Sequence, residues 1–113
     1  MPDSQPPMSD AFKLFIKEAP DHAKAWIAAA QSLHGASDLD AKTEHLAYLA
    51  VLAAMRLSSG IAFHVHLAKH AGATRAEVIS AILVGLPAAG IGVTIALPAA
   101  LEAYDAPTPK PAG

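Results

Sequence analysis

The stretch from Val78 to Leu101 carries no charged residue, and this limits what it can become. Such a segment has no solvent-facing side of its own, so it belongs in a core, a subunit interface or a bilayer. It is long enough to span a bilayer, but Gly85, Pro87, Gly90, Gly92 and Pro98 interrupt it and no basic cluster flanks it to set an orientation. The expectation is a broken, buried helix pair that serves as core and subunit interface, with no membrane partner. The whole chain shares this bias, with 53% hydrophobic and 16% charged residues. A domain of 113 residues has too much surface for its volume to bury that much apolar matter alone. Self-association is therefore expected. The net charge of −2 offers no footprint for nucleic acid.

Cysteine is absent, which removes disulfides, thiolate metal sites and thiol redox chemistry from the chain itself. The amino terminus Met-Pro-Asp-Ser-Gln-Pro-Pro has neither the basic start nor the apolar run of a signal peptide, so a cytoplasmic protein of bacterial type is expected. Residues 1–8 and 105–113 read as disordered tails around one domain at 9–104. Proline lacks the amide donor and restrains the residue before it, so the last stretch cannot continue a helix.

Between the tails the apolar pattern is helical throughout, and no run alternates with strand period. Ser9 can cap a short helix bearing Phe12, Phe15 and Ile16. Pro20 suits the first turn of a second helix carrying Trp26, Ile27 and Leu33, which breaks at His34-Gly-Ala-Ser37. Asp38 or Asp40 caps a third helix whose interior, Leu46 to Met55, is apolar all round and so is expected at the centre of a fold or assembly. Ser58 or Ser59 can cap a fourth helix, which Gly72 closes. Thr74-Arg-Ala-Glu77 fits a capping box. That fifth helix ends near Gly85-Leu-Pro87, and a last helix from about 88 to 103 is expected to bend at Pro98. The fold class is all-α, a compact bundle of six or seven helices.

The fourth helix packs three of the six histidines into seven positions, in Phe63-His-Val-His-Leu-Ala-Lys-His-Ala-Gly-Ala-Thr74. With Leu39-Asp-Ala-Lys-Thr-Glu-His-Leu46 before it and Glu77-Val-Ile after it, the chain resembles the carboxymuconolactone decarboxylase and alkylhydroperoxidase D-like family. The shared pattern is a helix opening in a polar cap, then His-x-x-x-Ala-x-x-x-Gly-Ala-Thr-x-x-Glu-(Ile/Val). The resemblance covers residues 20–104 and implies an all-helical domain that assembles as a homotrimer or homohexamer. Peroxidase-type members carry Cys-x-x-Cys before the shared histidine and a glutamate on the preceding helix. With His64 as the shared histidine, those positions hold Leu57, Gly60 and His45. Thiol-dependent peroxide chemistry has no nucleophile here. Decarboxylase-type members lack the cysteines and keep the histidine, which implies acid/base chemistry on a small organic acid or lactone.

His64 is the first catalytic candidate, as a general acid/base in a pocket between the two central helices. The other reading is a buried histidine bonded to a carbonyl or hydroxyl. His45 is the second candidate. On the resemblance's spacing it approaches His64, and two facing imidazoles would depress each other's pKa and could share a proton or a metal ion. Its alternative is a first-turn residue that reaches solvent beside Lys42. Ser58, Ser59 and Glu44 are candidate substrate contacts. The two serines are explained as well by capping, and Glu44 by pairing with a base on a neighbouring helix or by facing solvent. His66 and His70 stand i, i+4 on one helical face, the spacing of paired zinc ligands. No third ligand is evident, and His64 points about 160° away, so neither a metal nor a cofactor is expected. A non-catalytic helical oligomer binding a small ligand or partner is the alternative function.

Overall fold

The computed structural model describes residues 8–107. The sequence readings for residues 1–7 and 108–113 lie outside the described residues. Seven α-helices follow one another: α1 (Asp10–Glu18), α2 (Pro20–Ala36), α3 (Ala41–Met55), α4 (Ile61–His70), α5 (Arg75–Leu83), α6 (Leu86–Ala89) and α7 (Leu97–Asp105). Two 3₁₀ segments, Ser58–Gly60 and Ile91–Ala96, join them. The described residues contain no strand.

Local capping chemistry sets most helix ends. Ser9 Oγ accepts from Phe12 N–H at 3.1 Å, and Pro20 opens α2, where its missing amide is no loss. Asp40 accepts from Thr43 N–H at 2.8 Å and opens α3. Thr74 and Glu77 form the reciprocal capping box of α5, at 3.1 and 2.9 Å. Past the end of α4, Gly72 adopts φ +101°, which frees Ala73 N–H to bond the Ala68 carbonyl at 2.9 Å.

Several boundaries differ from expectation. α2 runs through His34 and Gly35 to Ala36, so the break falls later than the glycine suggests. Neither Ser58 nor Ser59 caps α4. The residue before that helix is Gly60, without a side-chain cap, and Ile61 N–H bonds the Ser58 carbonyl. The 3₁₀ turn's own backbone therefore supplies what a hydroxyl would have supplied. The expected helix from 88 to 103 is two elements. Gly90, at φ +84°, takes a conformation that a side chain rarely tolerates, and a 3₁₀ segment follows. Pro98 sits in the first turn of α7, so it starts a helix instead of bending one. Asp105, read as tail, ends α7, and its carboxylate takes a two-point hydrogen bond from Arg75 at 2.9 and 3.1 Å.

The core lies where α3, α4, α5, α7 and the Ile91–Ala96 segment meet. Leu49, Ile61, Val65, Val78, Ile82 and Val93 are its largest fully buried side chains. Ala53, Ala68, Ala96 and Ala100 let the helix axes approach. Lys69 Nζ donates to the Tyr104 carbonyl at 2.7 Å, and Tyr104 OH donates to the Ala73 carbonyl at 2.8 Å, tying α7 to the end of α4. Lys69 thus belongs to the fold.

α3 is central on one side only. Leu49, Leu52 and Ala53 are buried, while Tyr48, Val51 and Met55 are 47%, 54% and 63% exposed. Within one chain α3 packs chiefly on α4, α5 and the Ile91–Ala96 segment, which leaves the opposite side uncovered. The α1–α2 hairpin is similar: Ala23 is its buried residue, while Trp26 and Leu33 face solvent. Among the described residues no helix is long and apolar enough to cross a membrane.

Candidate functional site

The site is built from one stripe of α3 and the first turn of α4. Tyr48 lies four residues after Glu44 and three after His45, so its side chain rises one turn of α3 beyond both, between two side chains that point about 100° apart. Phe63 and His64 lie just inside α4, which starts there because the 3₁₀ turn reverses the chain over Leu52. The two helices pack along their length, and the aromatic rings meet in the contact.

His64 lies at the centre of this contact. The Tyr48 ring stacks on the imidazole with centroids 4.2 Å apart and planes inclined 25°. Phe63 stands against it in a T-shaped arrangement at 5.2 Å and 78°. Nδ1 of His64 is buried and has no hydrogen-bond partner among the described residues. Desolvation, reinforced by the nearby His45 charge, lowers the His64 pKa to about 4. The ring is therefore neutral at pH 7.

His45 is half-buried. Its pKa is lowered chiefly by desolvation, opposed by the Glu44 carboxylate and helped by His34. His34, at the end of α2, stacks on His45 at 6.3 Å between centroids and 19° between planes. Its Nδ1 also meets Glu44 Oε2, an ion pair whenever His34 is protonated. Glu44 thus pairs with a base on the neighbouring helix. Neither His34 nor Tyr48 is evident as a site residue from sequence. Tyr48 could have been found as the aromatic one turn on from Glu44 and His45. His34 carried no such signal, because Gly35 beside it reads as a helix stop.

The remaining candidates lie apart from this cluster or contribute no polar contact to it. Ser58 and Ser59 are exposed on the 3₁₀ turn. His66 is half-buried and His70 exposed, and no three His, Asp or Glu side chains among the described residues are grouped to hold a metal ion. An open groove of about 430 Å³ runs between α1 and α2, lined by Ile16, Ala23 and Ile27 among others, and none of the site histidines lines it.

Comparison with curated proteins and with solved structures gives no match. The model of the carboxymuconolactone decarboxylase family does match, over residues 20–105. That span takes in α2 through α7 and every residue of the His64 cluster. Over three-quarters of its length, therefore, the chain belongs to the carboxymuconolactone decarboxylase family.

Proposed function

We propose that the protein is a carboxymuconolactone decarboxylase-like enzyme, working by acid/base chemistry on a small organic acid or lactone through His64. The observation that carries this reading is the unpartnered Nδ1 of His64. Leaving a buried polar atom unsatisfied costs about 1–3 kcal/mol, a cost that a bound ligand's hydrogen bond would remove. A ligand O–H or acidic C–H directed at Nδ1 supplies that bond and is the proton the ring would take up.

A ring whose pKa is about 4 is on its own a weak base. A bound carboxylate changes this, because an opposite charge nearby favours the protonated imidazole. Substrate binding thus brings His64 closer to the working pH, where acid/base catalysis is most effective. His45, on the same helix as Tyr48, assists by exchanging a proton with solvent. Glu44 holds His34 and sets the charge beside His45, while Ser58 and Ser59 offer hydroxyls on the exposed turn before α4. The enzyme works as a homotrimer or homohexamer in which a second copy covers the exposed side of α3.

His64→Gln tests the reading. Turnover of a γ-lactone carboxylate by the purified protein should fall at least a hundredfold, a typical share for a general acid/base, with the oligomer unchanged. Undiminished turnover would remove His64 from the reaction. A second reading has its own observation in the exposed Tyr48, Val51 and Met55. A non-catalytic oligomer that binds a ligand or partner would keep that face and lose nothing but ligand binding in His64→Gln.

A further inference from the structure

We propose that Tyr48 is the positioning residue of the His64 site: its ring fixes the plane of the imidazole and keeps water off one face, so that a ligand reaches Nδ1 edge-on. This rests on the reading of His64 as the ligand-contacting group, and adds the residue that orients it.

The geometry has three parts. Tyr48 lies 4.2 Å from the imidazole and nearly parallel to it. Phe63 stands across the imidazole at 78°. The terminal torsion of a histidine is broad when unrestrained, and a stacked ring together with an upright one confines it. Nδ1 is then held in a buried position with no partner. Tyr48 itself is 47% exposed and is absent from the set of core residues. What it covers is His64.

The arrangement restricts the ligand. Tyr48 occupies one face of the imidazole, so a ligand that reaches the buried Nδ1 approaches in the plane of the ring. A hydroxy acid, an enol or a lactone with an acidic C–H can present its proton in that way, and a ligand that binds by stacking on the imidazole face held by Tyr48 cannot. On the elements packed against α4, His45 of α3 is the group whose charge acts on His64, with Glu44 and, from α2, His34 beside it; Lys69 of α4 bonds α7, and Arg75 of α5 pairs with Asp105 of α7. Replacing Tyr48 leaves these groups in place, so in a variant that sediments as the wild type does, a change in His64 reports the loss of the ring.

The test is NMR of His64 in the intact protein, wild type beside Tyr48→Phe and Tyr48→Leu. In the wild type, cross-relaxation between the Tyr48 and His64 ring protons is expected, with a His64 midpoint of about 4. Tyr48→Phe should keep both. Tyr48→Leu admits water and should raise the midpoint by about one pH unit or more, a tenfold gain in proton affinity. In turnover assays the same leucine variant should lower kcat more than it raises KM, and phenylalanine should restore it. A midpoint in Tyr48→Leu equal to the wild type overturns the proposal. So does the absence of Tyr48–His64 cross-relaxation in the wild type, a measurement that needs no variant to fold. Full turnover in His64→Gln together with a moved midpoint in Tyr48→Leu would instead refute the catalytic reading and leave the orienting role of Tyr48 standing.

Discussion

His34, in the last turn of α2, reaches Glu44 in the first turn of α3 and stacks on His45 beside it. Among the described residues this is the side-chain contact, an ion pair whenever His34 is protonated, that joins the exposed α1–α2 hairpin to the bundle. The hairpin buries little against the rest of the chain, so its position depends on this junction.

His34→Ala should therefore loosen the hairpin without unfolding the bundle. His34 is 60% exposed at its side chain, so the global cost should stay within about 1 kcal/mol. Amide exchange in α2 should speed up while α3 to α5 keep their protection. The His45 midpoint should rise, because His34 contributes a lowering charge. Unchanged exchange in α2 would show that the hairpin is held by something other than this contact.

Acid should destabilise the fold through His64. Its folded-state midpoint of about 4 lies below the ordinary 6.5, so between these values the unfolded chain binds more protons than the folded one. Stability is full above about pH 6.5 and is lost as the pH falls toward 4. His45, also lowered, acts in the same direction. The ring keeps some hydration, so the loss should be about 1–2 kcal/mol, short of the full value of the shift. Denaturant titrations across this range should show the slope in the wild type and a flatter one in His64→Gln. Equal slopes would mean that His64 titrates as an exposed residue.

The helix ends were legible in the sequence wherever one residue closes them locally. Asp40, Thr74 with Glu77, and Gly72 each satisfy an orphan backbone group within three or four positions. The end of α3 was not legible as a left-handed cap, because Arg56 takes φ 59° there without glycine's freedom. It is held by packing, with its guanidinium so close over Gly92 that a Cβ at that position would displace it. The candidate site was half legible. His64, His45 and Glu44 follow from the spacing of the family pattern. The contacts of Tyr48 and His34 depend on how α3 meets α4 and α2, which periodicity within a single helix does not encode. For the same reason α3 read as apolar all round, although one chain covers only one of its sides.

Charge on the exposed apolar surface should break assembly and spare the monomer. Ile91 and Ile95 are 76% and 58% exposed, so Ile91→Lys or Ile95→Glu removes little from the core and should change monomer stability by no more than about 0.5 kcal/mol. Sedimentation of the wild type at micromolar concentration should show an oligomer, and the charged variants should shift to lower mass with helical content intact. Assembly that survives both substitutions would leave the exposed side of α3 as the interface, with Val51 and Met55 next to be tested. A wild-type monomer would refute self-association altogether.

The three histidines of α4 should separate cleanly in function. His70 is exposed and His66 half-buried, and among the described residues neither has an aromatic ring stacked on it as Tyr48 stacks on His64. On a helix with about 3.6 residues per turn, His66 and His70 share a face that His64 does not. His66→Ala and His70→Ala should keep ligand binding and turnover within about twofold of wild type, a change of under 0.5 kcal/mol. His64→Ala should lose them while assembly persists. A metal shared between His66 and His70 across two copies would reverse the order. Turnover would then fall in those two variants and recover with added zinc, and the acid/base reading of His64 would give way to a metal-dependent one.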